Sequence, residues 1–153
     1  MSQPARDSAS ISCTGSFRVP LEPERAIGLF TAEGERRWVP GWEPRYPEPE
    51  ARDTDPGTVF LTRGEAGDVV WVVTAATGSG VRYARLDPRG IAGTVEVVCG
   101  AAGEGATTVE VTYQLTALEP AARAELGRFA AGYRDYLESW REAIDAAIER
   151  GAV

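Results

Sequence analysis

An apolar stripe through the C-terminal end constrains this chain more than any other feature. Between Ala121 and Ile148, the residues Leu126, Phe129, Tyr133, Tyr136, Leu137, Trp140, Ile144, Ala147 and Ile148 recur at steps of three and four. That is the period of one helix face. Arg123, Glu125, Arg128, Arg134, Asp135, Glu138, Arg141, Glu142 and Asp145 fall on the other face, which is therefore solvated. At 1.5 Å per residue such a helix runs about 40 Å. Phe129, Tyr133, Tyr136 and Trp140 put too much aromatic surface on the stripe to leave it in water. Residues 11–118 read as strands and turns. The sequence thus predicts an α+β chain, one antiparallel sheet wrapped against one long helix.

The upstream pattern supports this. Ile11 to Val19 reads as a first strand. Pro23 suits the first turn of a short helix, Pro23 to Phe30, because its missing N–H would be unpaired there. Thr31 can cap a second short helix, Ala32 to Trp38. Pro40 and Gly41 suit the centre of a type II turn. Glu43 to Gly57 carries Pro44, Pro47, Pro49 and Pro56 and reads as a loop, either a rim over a cavity or a wrapping connection. Strands at Thr58 to Thr62, Val69 to Ala76, Val81 to Leu86, Ile91 to Cys99 and Thr107 to Leu118 are separated by glycine-marked turns, which implies a meander. In the last strand Val109, Val111, Tyr113 and Leu115 share one face, so one side of the sheet is buried.

The 153 residues suit one domain, 11–149, after a small polar tail, 1–10, with no apolar signal region. No apolar run approaches a membrane span. The net charge of −7 argues against nucleic-acid and anionic-membrane partners. All 16 basic residues are arginine, and histidine is absent. These absences exclude a Schiff-base lysine, a Walker-type lysine, a histidine base and every histidine metal ligand. No cofactor is expected. Cys13 and Cys99 belong to no CxxC pair and read as small apolar residues of a reduced, cytoplasmic protein.

The order of a strand, two short helices, a long meander and a C-terminal amphipathic helix resembles the helix-grip fold of the START-like, or SRPBCC, superfamily. The stretch from Leu29 to Trp42 (LFTAEGERRWVPGW), Trp71-Val72-Val73, Val111-Thr112-Tyr113 and Thr116-Ala117-Leu118 carry the resemblance, which is to polyketide-cyclase/dehydratase-like and uncharacterised bacterial members. It implies a cavity between sheet and long helix, opening near the short helices. It also implies a choice of functions: carriage of a lipid or another small apolar or aromatic molecule, polyketide cyclisation or dehydration, or Aha-type action on another protein. Fold does not choose among them. Iron-dependent oxygenases of the superfamily need histidine, so that branch is excluded. The first strand is implied to pair with the last, which puts Cys13 and Cys99 two strands apart, roughly 9–10 Å, too far for a disulfide. A homodimer stays open.

Candidate ligand-binding residues follow. Trp38 and Trp42 flank the implied mouth and read equally as pocket or core. Trp71 and Trp140 read as core, although Trp71 with Tyr83, Tyr113, Phe129, Tyr133 and Tyr136 could also wall an aromatic pocket. Arg85 shares parity with Tyr83. If that face looks inward, Arg85 is a buried guanidinium in need of an anion; otherwise Arg82 is the inward one, or the arginine snorkels to solvent. Gly132 lies on the apolar stripe, so a sheet side chain or a ligand is expected to fill its missing volume. Glu33 and Glu35 do not face each other and read as complements of a helix dipole. No catalytic residue is assigned.

Overall fold

The computed structural model describes residues 8–153. Six strands form one antiparallel sheet: β1 (Ser10–Val19), β2 (Val59–Gly64), β3 (Gly67–Ala76), β4 (Gly80–Asp87), β5 (Ile91–Ala101) and β6 (Thr107–Ala117). Their order is β1-β6-β5-β4-β3-β2. The meander arises because glycine-marked turns fold each strand back onto its predecessor. β1 then closes on the far side of β6, with Cys13 opposite Tyr113 and Phe17 opposite Val109. Cys99 lies opposite Val109 on the other flank of β6, so a strand separates the two thiols, and both are free. Most of the expected tail, 1–10, falls outside the described residues, and β1 already begins at Ser10.

The inner face is set by period-two alternation. Val109, Val111, Tyr113, Leu115 and Ala117 of β6 are buried, and the residues between them are exposed or half-buried. On β4 the inward set is Val81, Tyr83 and Arg85, while Arg82 points to solvent. The parity left open by the sequence is thereby resolved in favour of Arg85.

The helical side departs from the sequence expectation. The single helix is two: α2 (Arg123–Ala131) and α3 (Tyr133–Glu149), meeting at Gly132. Gly132 is exposed, and a Cβ placed there would meet only Arg128 O, at 3.5 Å. No sheet side chain or ligand space occupies its missing volume. The expectation of a filled gap at Gly132 is corrected: the glycine marks the bend between helices. The glycine that α3 needs is on the sheet instead. A Cβ on Gly15 would come within 2.7 Å of Leu137 Cδ1 and 3.5 Å of the Tyr133 ring, so β1 lets the helix approach closely.

Between β1 and β2 the chain forms α1 (Pro23–Ile27), with Pro23 in its first turn, and a 3₁₀ turn over Gly34–Arg37. Both are shorter than the helices expected. Thr31 precedes the turn rather than capping a helix that begins at Ala32: the N-cap position is Glu33, without a side-chain bond, while Thr31 Oγ1 accepts from Gly34 N at 2.9 Å. Gly41 has φ +72°, and Trp42 N donates to Val39 O at 3.3 Å, as a type II turn requires. The following loop wraps the sheet edge. Arg45 exchanges both backbone hydrogen bonds with Leu61 of β2, at 2.9 and 2.8 Å, which covers an otherwise open strand. Among the described residues, no helix is long and apolar enough to cross a membrane.

Candidate functional site

The sheet curls over α2 and α3 and leaves a cavity of about 280 Å³ between them. Three groups of elements wall it. Phe60, Trp71, Tyr83, Arg85 and Tyr113 rise from β2, β3, β4 and β6. Leu126, Phe129, Tyr136 and Trp140 descend from α2 and α3. Glu35, Val39 and Trp42 close one end from the 3₁₀ turn and the type II turn. No residue of the 43–57 loop lines it, so that segment is a wrapping connection rather than a lid.

The aromatic walls are fixed in place. Phe60 and Trp71 stack with centroids 5.8 Å apart and planes 4° from parallel. Tyr83 meets both edge-on at 5.9 Å, and Trp42 meets Trp71 edge-on at 5.8 Å. Each of these packs a π-face against a positive ring edge or an offset ring, the arrangements aromatic pairs favour. Polar tips are anchored too. Trp42 Nε1 donates to Ala32 O at 2.8 Å and Trp71 Nε1 to Thr62 Oγ1 at 2.9 Å. Tyr83 OH donates to Phe30 O at 2.6 Å. The hydroxyls of Tyr113 and Tyr136 meet at 3.2 Å. Burial pushes the Tyr83 and Tyr113 phenols well above their ordinary range, so both remain protonated donors.

Seven of the ten candidates therefore converge on the cavity: Trp42, Trp71, Tyr83, Arg85, Tyr113, Phe129 and Tyr136. Three do not. Trp38 is core: it is buried, donates from Nε1 to Leu29 O at 2.7 Å, and packs between Phe30 and Trp140 at 5.7 and 5.4 Å. Tyr133 is buried against β1 and donates to Val111 O at 2.7 Å. Gly132 lies at the helix bend, on the outside. Trp71 and Trp140, read first as core, are half-buried wall residues.

The sequence reading missed Phe60 and, with more consequence, Glu35. Glu33 does point outward, where burial raises its pKa but hydrogen bonds from Arg36 and Tyr46 outweigh that and hold it below the ordinary range. Glu35 turns the other way. It is half-buried because its carboxyl faces the cavity rather than bulk solvent. Loss of hydration pushes its pKa well above the ordinary value. No sequence signal marks this, because a 3₁₀ turn of four residues is too short for periodicity to assign its inner side.

A pH prediction follows from Glu35. Its folded pKa lies above its unfolded one, so the bound proton stabilises the fold fully below the unfolded value. That contribution is lost as pH rises through the folded value. Glu35→Gln carries no such dependence. The variant should gain in melting temperature relative to the parent as pH rises from 4 to 9, and little of the gain should appear at the acid end. Parallel curves of melting temperature against pH would show that the carboxyl is not desolvated.

Arg85, Arg89 and Glu125 are the other charged side chains on the cavity wall. The guanidinium carbon of Arg85 lies 4.9 Å from the Trp71 ring centroid, over the face of the indole. Asp87 is its nearest carboxylate, but Arg85 Nη2 reaches it only at 3.4 Å. Arg89 takes most of Asp87, through its backbone N at 2.9 Å, Nε at 3.1 Å and Nη2 at 2.8 Å. Burial works against the Asp87 charge, yet these bonds hold its pKa below the usual range. Arg85 Nε is buried and meets no acceptor among the described residues.

A curved antiparallel sheet gripping C-terminal helices around a cavity is the helix-grip fold, and comparison with solved structures shows the same fold. Norcoclaurine synthase from Thalictrum flavum, in complex with dopamine and hydroxybenzaldehyde, superposes with a TM-score of 0.67 at 9% identity, covering 99% of this chain and 95% of that one. A protein from Thermobifida fusca gives 0.63 at 18% identity over 77% and 81%. An Hsp90 activator from Plasmodium falciparum gives 0.55 at 18% over 71% and 74%. No protein-family model matches the sequence. The search of curated proteins finds no match. At these identities the likeness shows the fold alone.

Proposed function

We propose that this protein binds a small, flat, largely aromatic molecule in the cavity between its sheet and its C-terminal helices. The observation that carries the proposal is the cavity itself, about 280 Å³ of space walled by eight aromatic side chains with four charged ones, Glu35, Arg85, Arg89 and Glu125, among them. Ligand sites are characteristically concave, mostly apolar and furnished with a few placed polar groups. The volume lies near the lower bound of about 300 Å³ for such sites, which suits a compact ring system better than a long acyl chain. Norcoclaurine synthase, a fold neighbour, holds two aromatic molecules. An interaction module with a closed core, like the Hsp90 activator reading, has no use for this space.

One observation favours a second reading, proton transfer to a bound substrate in the manner of a cyclase or dehydratase. Glu35 presents a desolvated carboxyl to the cavity, and the phenols of Tyr113 and Tyr136 supply donors. A carboxyl whose pKa is raised toward neutrality can serve as general acid or base at working pH.

Native mass spectrometry tests the binding proposal. Protein from its own host, and protein incubated with a panel of planar bicyclic aromatics, should carry a 1:1 adduct. Bare chain in every sample would reject the proposal.

A further inference from the structure

We infer that the molecule bound in this cavity is an aromatic carboxylate whose anionic group docks on Arg85. This rests on the binding function proposed above and adds the chemical class of the ligand.

The inference starts from the neighbours of Arg85. In the sheet register its cross-strand partners are Trp71 on β3 and Gly93 on β5. Trp71 offers an indole face to one side of the guanidinium. Gly93 offers no side chain, because the backbone of Gln114 and Leu115 on β6 fills the place its Cβ would take, and the β5 residues on the cavity wall are Ile91, Val95 and Val97. Arg85 is thus fixed by stacking on the cavity wall, its side chain 13% exposed and its Nη2 reaching Asp87 only at 3.4 Å.

Local charge points the same way. Asp87 is engaged by three donors of Arg89 and gives Arg85 only the long 3.4 Å contact. Arg89 is further matched by Glu125 at 3.3 Å and Glu65 at 3.8 Å. The remaining carboxyl on the cavity wall, Glu35, is held toward its neutral form by burial. The positive charge of Arg85 is therefore the least compensated on the wall. Its Nε–H, buried without an acceptor, is a donor left unsatisfied by the protein. Buried donors in native proteins find partners, and a guanidinium pairs most strongly with a planar carboxylate. Phosphate fits less well, because it demands more charge, and the wall's second arginine, Arg89, is already matched by Asp87, Glu125 and Glu65. With the anion on Arg85, the ring system would extend along the aromatic wall toward Trp42 and Phe129.

The test compares two probes of one shape, 2-naphthoate and its neutral analogue 2-naphthamide, by isothermal titration calorimetry. The parent protein should bind the naphthoate about tenfold or more tightly than the amide, the ratio expected of one charge-assisted hydrogen bond. Arg85→Gln should bring the two affinities together by weakening the naphthoate and sparing the amide. Arg85→Lys, which keeps the charge but not the fork, should recover part of the ratio. Equal binding of both probes by the parent protein, or preference for the amide, would overturn the carboxylate inference and leave the aromatic pocket standing. Failure of both probes to bind would overturn the pocket and the inference together. The parent ratio decides the matter even if Arg85→Gln does not fold.

Discussion

Gly34→Ala is expected to destabilise the protein by about 3 kcal/mol or more, at the upper end of what overpacking a well-filled site does. A Cβ on Gly34 would overlap the carbonyl oxygen of Gly28 and lie 2.8 Å from its carbonyl carbon and 3.0 Å from that of Leu29. All three atoms are backbone, so no side-chain rotation relieves the overlap. The surroundings also resist a shift. Thr31 Oγ1 accepts from Gly34 N at 2.9 Å and donates to Gly28 O at 3.4 Å, tying the end of α1 to the 3₁₀ turn. Leu29 and Phe30, on the same segment, are fully buried. Any displacement would carry Glu35 and Trp38 with it, so the cavity should deform as the fold weakens. Urea unfolding midpoints measure the loss, and Gly132→Ala serves as the control. A Cβ at that exposed position meets only ordinary contact, so the control should stay within about 1 kcal/mol of the parent and favour helix. If the two variants melt alike, the close approach of α1 and the 3₁₀ turn is wrong.

The contrast between these two glycines shows where sequence reasoning holds. The strands were legible because their signal is local. Alternation along β6 fixes which side is buried, and a glycine-bearing turn fixes where each strand reverses. The C-terminal stripe was legible for the same reason, but the bend within it was not. Gly132 N still donates to Arg128 O at 3.1 Å, and Tyr136 N to Gly132 O at 2.9 Å. Those helical bonds carry the side-chain phase across the bend, so the stripe reads as unbroken. Gly34 and Gly15 left no trace of their importance, because what crowds them comes from other segments of the chain. Glu35 was misread on similar grounds. Four residues of 3₁₀ turn hold too little periodicity to say which carboxylate faces inward, and that is decided by how Trp38 packs on Phe30 and Trp140. For Arg85 the parity argument reduced the choice to two residues, and only the curvature of the sheet could finish it.

Phe60→Ala is expected to lose about 3–5 kcal/mol, the usual range for deleting a buried phenylalanine ring. Phe60 is 1% exposed and touches rings on four sides. It stacks on Trp71 at 5.8 Å and meets Tyr83 at 5.9 Å, Tyr46 at 6.0 Å and Trp42 at 6.2 Å. Two of those partners have tips fixed to other segments, Trp42 to Ala32 O and Tyr83 to Phe30 O, so they cannot readily collapse into the gap. The void should therefore persist, which places the loss toward the top of the range. Because Phe60 also walls the cavity, the void should join it rather than form a separate hole. Two readouts then move in opposite directions. The urea midpoint should fall. The site should admit three-ring aromatics that the parent protein excludes, with weaker binding of two-ring probes. Phe60→Leu, which keeps most of the volume, should lose less stability and admit nothing larger. A Phe60→Ala protein that unfolds like the parent, or that gains no capacity for larger ligands while remaining folded, would mean that this ring neither supports the core nor bounds the cavity.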